Sequence, residues 1–280
     1  MIRPWLLASL VLAGCVSPLA SLKHSRTLTL DEASITVRWG PDDEETQLRM
    51  NQALARAVPE LERWGKLPAP VTLSLLPSHD ALEAVTGRHG YGWLRAWGTF
   101  DEIFLQSPRS WSVPPRDADL SEWLLHELTH CLLFQRSGTA ETWSQLQIPL
   151  WFREGMATVT ARQGYRYPSL EDLANWLAEH PDFDVFTNGE ALSQHWFDQV
   201  YGLAHHAMTF LIRRYGDAPI ARVMNRLQAG DEFDQAFTNA VGISPSAFAR
   251  EFRNYLRLRG FRGFGLQLRG SMPSQKSLAP

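Results

Sequence analysis

His126, Glu127 and His130 make up the string H-E-L-T-H. On an α-helix each residue turns about 100°, so the two imidazoles fall about 40° apart around the axis and about 6 Å apart along it. Both rings can then converge on one ion. Glu127 lies about 60° beyond His130, on the same side but off the point of convergence. Two nitrogen ligands beside a carboxylate that does not ligate form the set that metal-assisted hydrolysis requires. The bland alternative is a pair of satisfied histidines on an ordinary helix, so context must decide.

A catalytic zinc site takes three protein ligands and leaves its fourth position for water. Downstream runs P-L-W-F-R-E-G-M-A-T-V-T-A-R, residues 149–162, with Glu154 in the opening of a second helical segment. Twenty-three residues lie between His130 and Glu154, enough for a turn and a return as an antiparallel neighbour.

H-E-L-T-H followed by P-L-W-F-R-E-G-M-A resembles the gluzincin metallopeptidases, the group of thermolysin and the zinc aminopeptidases, and most of all the peptidase MA-like domains. The resemblance implies one Zn2+ held by His126, His130 and Glu154, with Glu127 as general base, acting on a peptide or protein substrate. It extends more weakly over residues 100–256, including V-Y-G-L-A-H-H-A-M-T-F-L at 200–211. In thermolysin-like enzymes an acidic residue four positions after the third ligand orients a ligand histidine. That position is Thr158 here, which leaves the orienting partner unassigned.

The developing oxyanion also needs a donor. On the helix expected over residues 200–216, Leu203, Ala204, Ala207, Phe210 and Leu211 form an apolar face, and Gly202, His206, Thr209 and Arg213 a polar one. Tyr201 and His205 share a third face that would look into the cleft. The resemblance to aminopeptidases gives the oxyanion role to a downstream tyrosine, which favours Tyr201; the alternative is a buried Tyr–His pair bonded to its neighbours.

The elements that position these residues can be read as well. Asp119 and Glu122 form a capping-box pattern at the start of the H-E-L-T-H helix, and Gly138 closes it. Leu124, Leu128, Cys131 and Leu132 gather on its core face. Alternation over residues 27–38 predicts a strand or hairpin. A helix follows over 43–64, with Met50, Leu54, Val58 and Leu61 on one face and Gly65 as its stop. Strands are expected at 71–76 and 100–106, a short helix at 78–85, and a glycine-rich turn at 88–97. By the resemblance, the strand at 100–106 is the sheet edge beside the cleft, where an extended peptide adds by backbone hydrogen bonds. Beyond Pro115 the pattern is helical, with starts at Ser169, Asp217 and Pro245.

The fold class is therefore α+β. A small N-terminal mixed α/β lobe with a sheet (residues 15–118) precedes a mostly helical lobe (119–260), with zinc between them and a loose basic tail at 261–280. Residues 1–14 resemble a secretory signal: Arg3 precedes about eleven apolar or small residues, too few to span a bilayer. Leu12-Ala13-Gly14-Cys15 resembles a bacterial lipobox, which implies lipidation at Cys15, and Val16 after it implies the outer membrane, facing the periplasm. The alternative is an ordinary signal peptide cut nearby. Acylated Cys15 leaves Cys131 as the one remaining cysteine, so no intrachain disulfide forms. With 44% hydrophobic residues and eleven tryptophans the chain is a packed globule, and a net charge of −3 leaves no electrostatic footprint for nucleic acid. Two functions compete: a zinc peptidase tethered to the envelope, and a non-catalytic envelope lipoprotein that uses the same fold as a binding module.

Overall fold

The computed structural model describes residues 17–270, with side chains as far as residue 258. Cys15 and the signal-like segment before it lie outside the described residues.

Asp31 and Glu32 take left-handed backbone angles (φ 46° and 72°), and this reversal turns the alternating stretch at 27–38 into a hairpin. Strand β1 (His24–Leu30) pairs antiparallel with β2 (Ala33–Trp39), Leu30 opposite Ala33. Ala33, Ile35, Val37 and Trp39 alternate into the core from β2. Helix α1 (Glu44–Ala57) runs into a 3-10 turn at Val58–Arg63, where Pro59 cannot continue the α-helical bonding, and Gly65 (φ 115°) ends it. Met50, Leu54, Val58 and Leu61 are buried, as their spacing predicts.

Strand β3 (Val71–Leu76) is followed by α2 (His79–Thr86), capped by the Ser78 hydroxyl accepting from the Ala81 amide and closed by left-handed Gly87. Strands β4 (Ala96–Gly98) and β5 (Glu102–Gln106) complete a sheet of order β1-β2-β3-β5-β4. β2, β3 and β5 are parallel neighbours, and β4 pairs antiparallel with β5. This corrects one expectation: β5 is flanked on both sides, and the sheet edge next to it is β4, which overlaps the end of the stretch expected as a turn. Three residues are too few to leave a period-two signature.

Helices follow: α3 (Asp117–Ser137), α4 (Leu150–Thr160), α5 (Leu170–Glu179), α6 (Val185–Ser193), α7 (Phe197–Tyr215), α8 (Ala218–Gln228), α9 (Phe233–Val241) and α10 (Pro245–Gly270). α3 begins two residues earlier than its apparent cap. Asp119 lies inside the first turn and accepts from the Arg116 backbone N–H at 3.0 Å, while Glu122 pairs outward with Tyr165 and Arg166. α10 continues through Gly270, so the first ten residues of the stretch read as a loose tail are helical.

α3 is the axis of the molecule. Every residue from Leu124 to Gln135 is buried, because the sheet and α1 cover one side, and α4 and α8 cover others. Tightly packed aromatic residues fix α4 in place: Trp151 stacks on Phe248 at 5.3 Å, and Phe152 meets Phe233 edge-on at 5.3 Å. Fully buried side chains of this size each contribute about 1.5–3 kcal/mol. No helix among the described residues is long and apolar enough to cross a membrane.

Candidate metal centre

His126 and His130 leave α3 one turn apart and meet Glu154, which comes from the second turn of α4. All three are buried, between 5% and 7% exposed. His126 Nε2 and His130 Nε2 are 3.2 Å apart; Glu154 Oε2 lies 3.3 Å from the first and 3.4 Å from the second. Ligands about 2.0–2.1 Å from a tetrahedral ion stand about 3.3 Å from one another, so these edges match a zinc coordination face. Glu154 Oε2 is a buried oxygen that no donor meets with hydrogen-bond geometry. A buried carboxylate oxygen that no hydrogen-bond donor meets is costly, and a cation at the common focus removes that cost. The residues present fit a metal ion; among the described residues they are the buried group of His and Glu side chains that could hold one.

The electrostatics agree. Burial opposes ionisation of Glu154, yet the facing His130 and His126 imidazoles hold its pKa well below the ordinary carboxylate value. Burial works to lower the His126 pKa, but Glu154 and the charge of Glu127 outweigh it and hold it above its usual value. Both directions describe one point in space that favours positive charge.

Two close approaches set this geometry. Gly155, next to Glu154, lies so near α7 that a Cβ there would stand 2.6 Å from the Ala204 carbonyl oxygen and 2.9 Å from Met208 Cβ. Gly98 on β4 lies so near α3 that a Cβ would stand 2.8 Å from the Glu127 carbonyl oxygen and 3.1 Å from its Oε2. Glu127 is thus held between the sheet edge and the His126–His130–Glu154 group. Burial raises its pKa, the two histidines lower it, Glu154 adds to the rise, and the Gly98 backbone opposes it; the net direction is up.

A cleft of about 480 Å³ opens over the site, lined by His126, Glu127, His130 and Glu154, with β4 along one wall. Tyr201 lines it, set among Phe197 at 4.3 Å and Trp93 at 5.7 Å. Its hydroxyl has no hydrogen-bond partner among the described residues, and burial pushes its pKa well up. His205 is not brought to the cleft lining. Its Nδ1 lies 3.3 Å from Thr158 Oγ1, its ring packs on Gly164, and burial lowers its pKa to about 4. The helix turns both residues to one side, but the Gln163–Arg166 turn packs over His205 while Tyr201, one turn earlier, lines the cleft. His206 is half-buried rather than solvated, facing the Pro168 carbonyl at 3.1 Å. Cys131 is fully buried behind the site, and burial raises its thiol pKa far from reactivity.

The residues missed from sequence are informative. His126 Nδ1–H donates to Gln163 Oε1 at 2.9 Å, so the orienting partner left open at Thr158 is supplied five residues further on. Arg162, in left-handed conformation (φ 58°), turns the chain so that Gln163 folds back over α3. Tyr167, from the loop after that turn, lines the cleft as well. Neither follows a spacing rule, because both come from irregular chain.

No family model matches the chain, and no curated protein matches it. Among solved structures it is similar to a two-domain M1 zinc metallopeptidase bound to L-arginine, at 16% identity and TM-score 0.44, covering 84% of this chain and 51% of that one. It is also similar to a two-domain M1 zinc metallopeptidase bound to L-tryptophan, at 15% identity and TM-score 0.42, covering 82% of this chain and 51% of that one. The chain spans about half the length of those proteins.

Proposed function

We propose that this chain is a zinc-dependent peptidase of the gluzincin type, tethered to the bacterial cell envelope. The observation that carries the reading is the convergence of His126 Nε2, His130 Nε2 and Glu154 Oε2 within 3.2–3.4 Å of one another beneath an open cleft. Zinc bound there supplies Lewis acidity for activating water and polarising a carbonyl.

The chain's own groups do the rest. Glu127 takes the proton of the attacking water and returns it to the leaving amine, and its raised pKa brings it nearer the working pH for both transfers. Tyr201 presents a protonated hydroxyl to the developing oxyanion. β4 aligns the peptide. The Gln106 amide donates to the Arg95 carbonyl and the Thr99 amide to the Glu102 carbonyl, so residues 95, 97 and 99 face β5. In an antiparallel pair the intervening residues point the other way, so the peptide groups of Ala96 and Gly98 face the free edge, where an extended substrate can add.

Glu127→Gln should keep one zinc per chain by metal analysis and abolish cleavage of a peptide library. Unchanged turnover would overturn the reading, and a protein that never takes up zinc would favour the binding-module alternative. The envelope assignment is supported by the Leu12–Cys15 pattern. Cys15→Ala should move the protein from the membrane fraction to the soluble one.

A further inference from the structure

Four arginines line the cleft: Arg88, Arg95, Arg153 and Arg166. Glu127 and Glu154 are the acids that line it, and both are committed to the metal site. Arg166 is neutralised by Glu122, with Asp119 at 3.8 Å. Arg153 and Arg88 share one carboxylate, that of Glu190, which is 55% exposed and 3.9 Å from Arg88. The Arg153 Nε is buried with no acceptor. Arg95 has no acidic partner among the described residues; its Nη1 donates to the carbonyls of Gly92 and Leu94, each at 2.9 Å. Burial lowers its pKa, with no carboxylate to raise it again. A half-buried guanidinium left without a counter-ion lacks an anion that would offset its desolvation, and a substrate can supply one.

Its position gives the register. Arg95 immediately precedes β4, and Gly98, which packs against Glu127, ends it. Three residues of strand span about 10 Å. A peptide lying along the β4 edge with its reacting bond beside Glu127 therefore brings a side chain two to three residues away level with Arg95.

We propose that Arg95 is the centre of an anionic-side-chain subsite, with Arg88 and Arg153 adding to its field, so that this chain acts on peptides carrying Asp or Glu within three residues of the scissile bond. The proposal rests on the peptidase reading and deepens it by naming the substrate class.

Matched peptide sets with Glu or Gln at each position test it. The zinc-loaded wild type should show about a tenfold higher kcat/KM for Glu at one position two or three residues from the cut, as a charge-assisted hydrogen bond predicts. Arg95→Met should collapse that Glu/Gln ratio toward one, and Arg95→Lys should restore part of it. A wild-type ratio near one at every position, or a preference that survives in Arg95→Met, overturns the subsite. Absence of cleavage for every peptide would instead sink the peptidase reading. The subsite then stands or falls on fluorescence anisotropy of the labelled Glu and Gln peptides with Glu127→Gln protein and its Arg95→Met double variant. Tighter binding of the Glu peptide that is lost in the double variant supports the subsite, and equal binding overturns it.

Discussion

Gln163 Oε1 accepts a hydrogen bond from His126 Nδ1 at 2.9 Å, and this contact decides which face His126 turns toward His130 and Glu154. With the proton fixed on Nδ1, the bare Nε2 points at Glu154 and His130. Gln163 is 2% exposed, so water cannot replace it. Gln163→Leu should weaken zinc binding about 10–100-fold in competition with a chromogenic chelator. Gln163→Glu should bind zinc at least as tightly as the wild type. Equal affinity in all three proteins would show that the contact does not orient the ligand.

Gly155 is the counterpart on the carboxylate side. Alanine has the better helix propensity by about 1 kcal/mol, but here its Cβ would meet a backbone oxygen at 2.6 Å, and a helix backbone cannot rotate aside. α4 and α7 must part, which costs about 1–3 kcal/mol in a packed core. Gly155→Ala should therefore lose stability in urea unfolding and, because Glu154 moves with α4, lose zinc affinity as well. A more stable variant with full zinc affinity would show that the helices accommodate the methyl group.

What was legible in the sequence followed from periodicity and from one short motif. Helical spacing made His126 and His130 legible as a pair, and the resemblance of the segment around Glu154 to the gluzincin pattern implied the third member of the group. The core face of α3 was legible for the same reason. Its burial on the remaining sides was not, since that depends on which elements arrive from elsewhere in the chain. β4, Gln163, Tyr167 and Arg95 escaped because each lies on a short strand or irregular loop, where function depends on tertiary placement. His205 shows the converse: the face it shares with Tyr201 was read from the helical wheel, but a loop that no wheel describes covers one end of that face.

His205 has a consequence for acid stability. Its folded pKa of about 4 lies below the unfolded value of about 6.5, so between those values the unfolded chain holds a proton that the folded one refuses. The stability term is fully present above pH 6.5 and is lost as the pH falls to about 4, by about 3 kcal/mol for a shift of this size. His206, lowered by its own burial, acts in the same direction. Urea unfolding from pH 7.5 to 4 should show the wild type losing stability more steeply than His205→Asn, and parallel curves would exclude the assignment. The comparison separates His205 from His126 and His130, which both proteins share.

Two phenols face the cleft, and they are not equivalent. Tyr201 is buried on rigid α7, held by Phe197 and Trp93, whereas Tyr167 is half-buried on a loop. Burial keeps both protonated, so either is chemically able to donate. A donor that stabilises charge only as it develops must already be in place, because reorganising it would consume the gain. Tyr201→Phe removes one oxygen and keeps the ring packing. It should lower kcat about 10²–10³-fold while KM and zinc content stay near wild type, the pattern of an interaction made only in the transition state. Tyr167→Phe should cost less than tenfold. If the order is reversed, with Tyr167→Phe crippled and Tyr201→Phe active, the oxyanion donor is the loop residue, and the rigid wall of α7 serves only to shape the cleft.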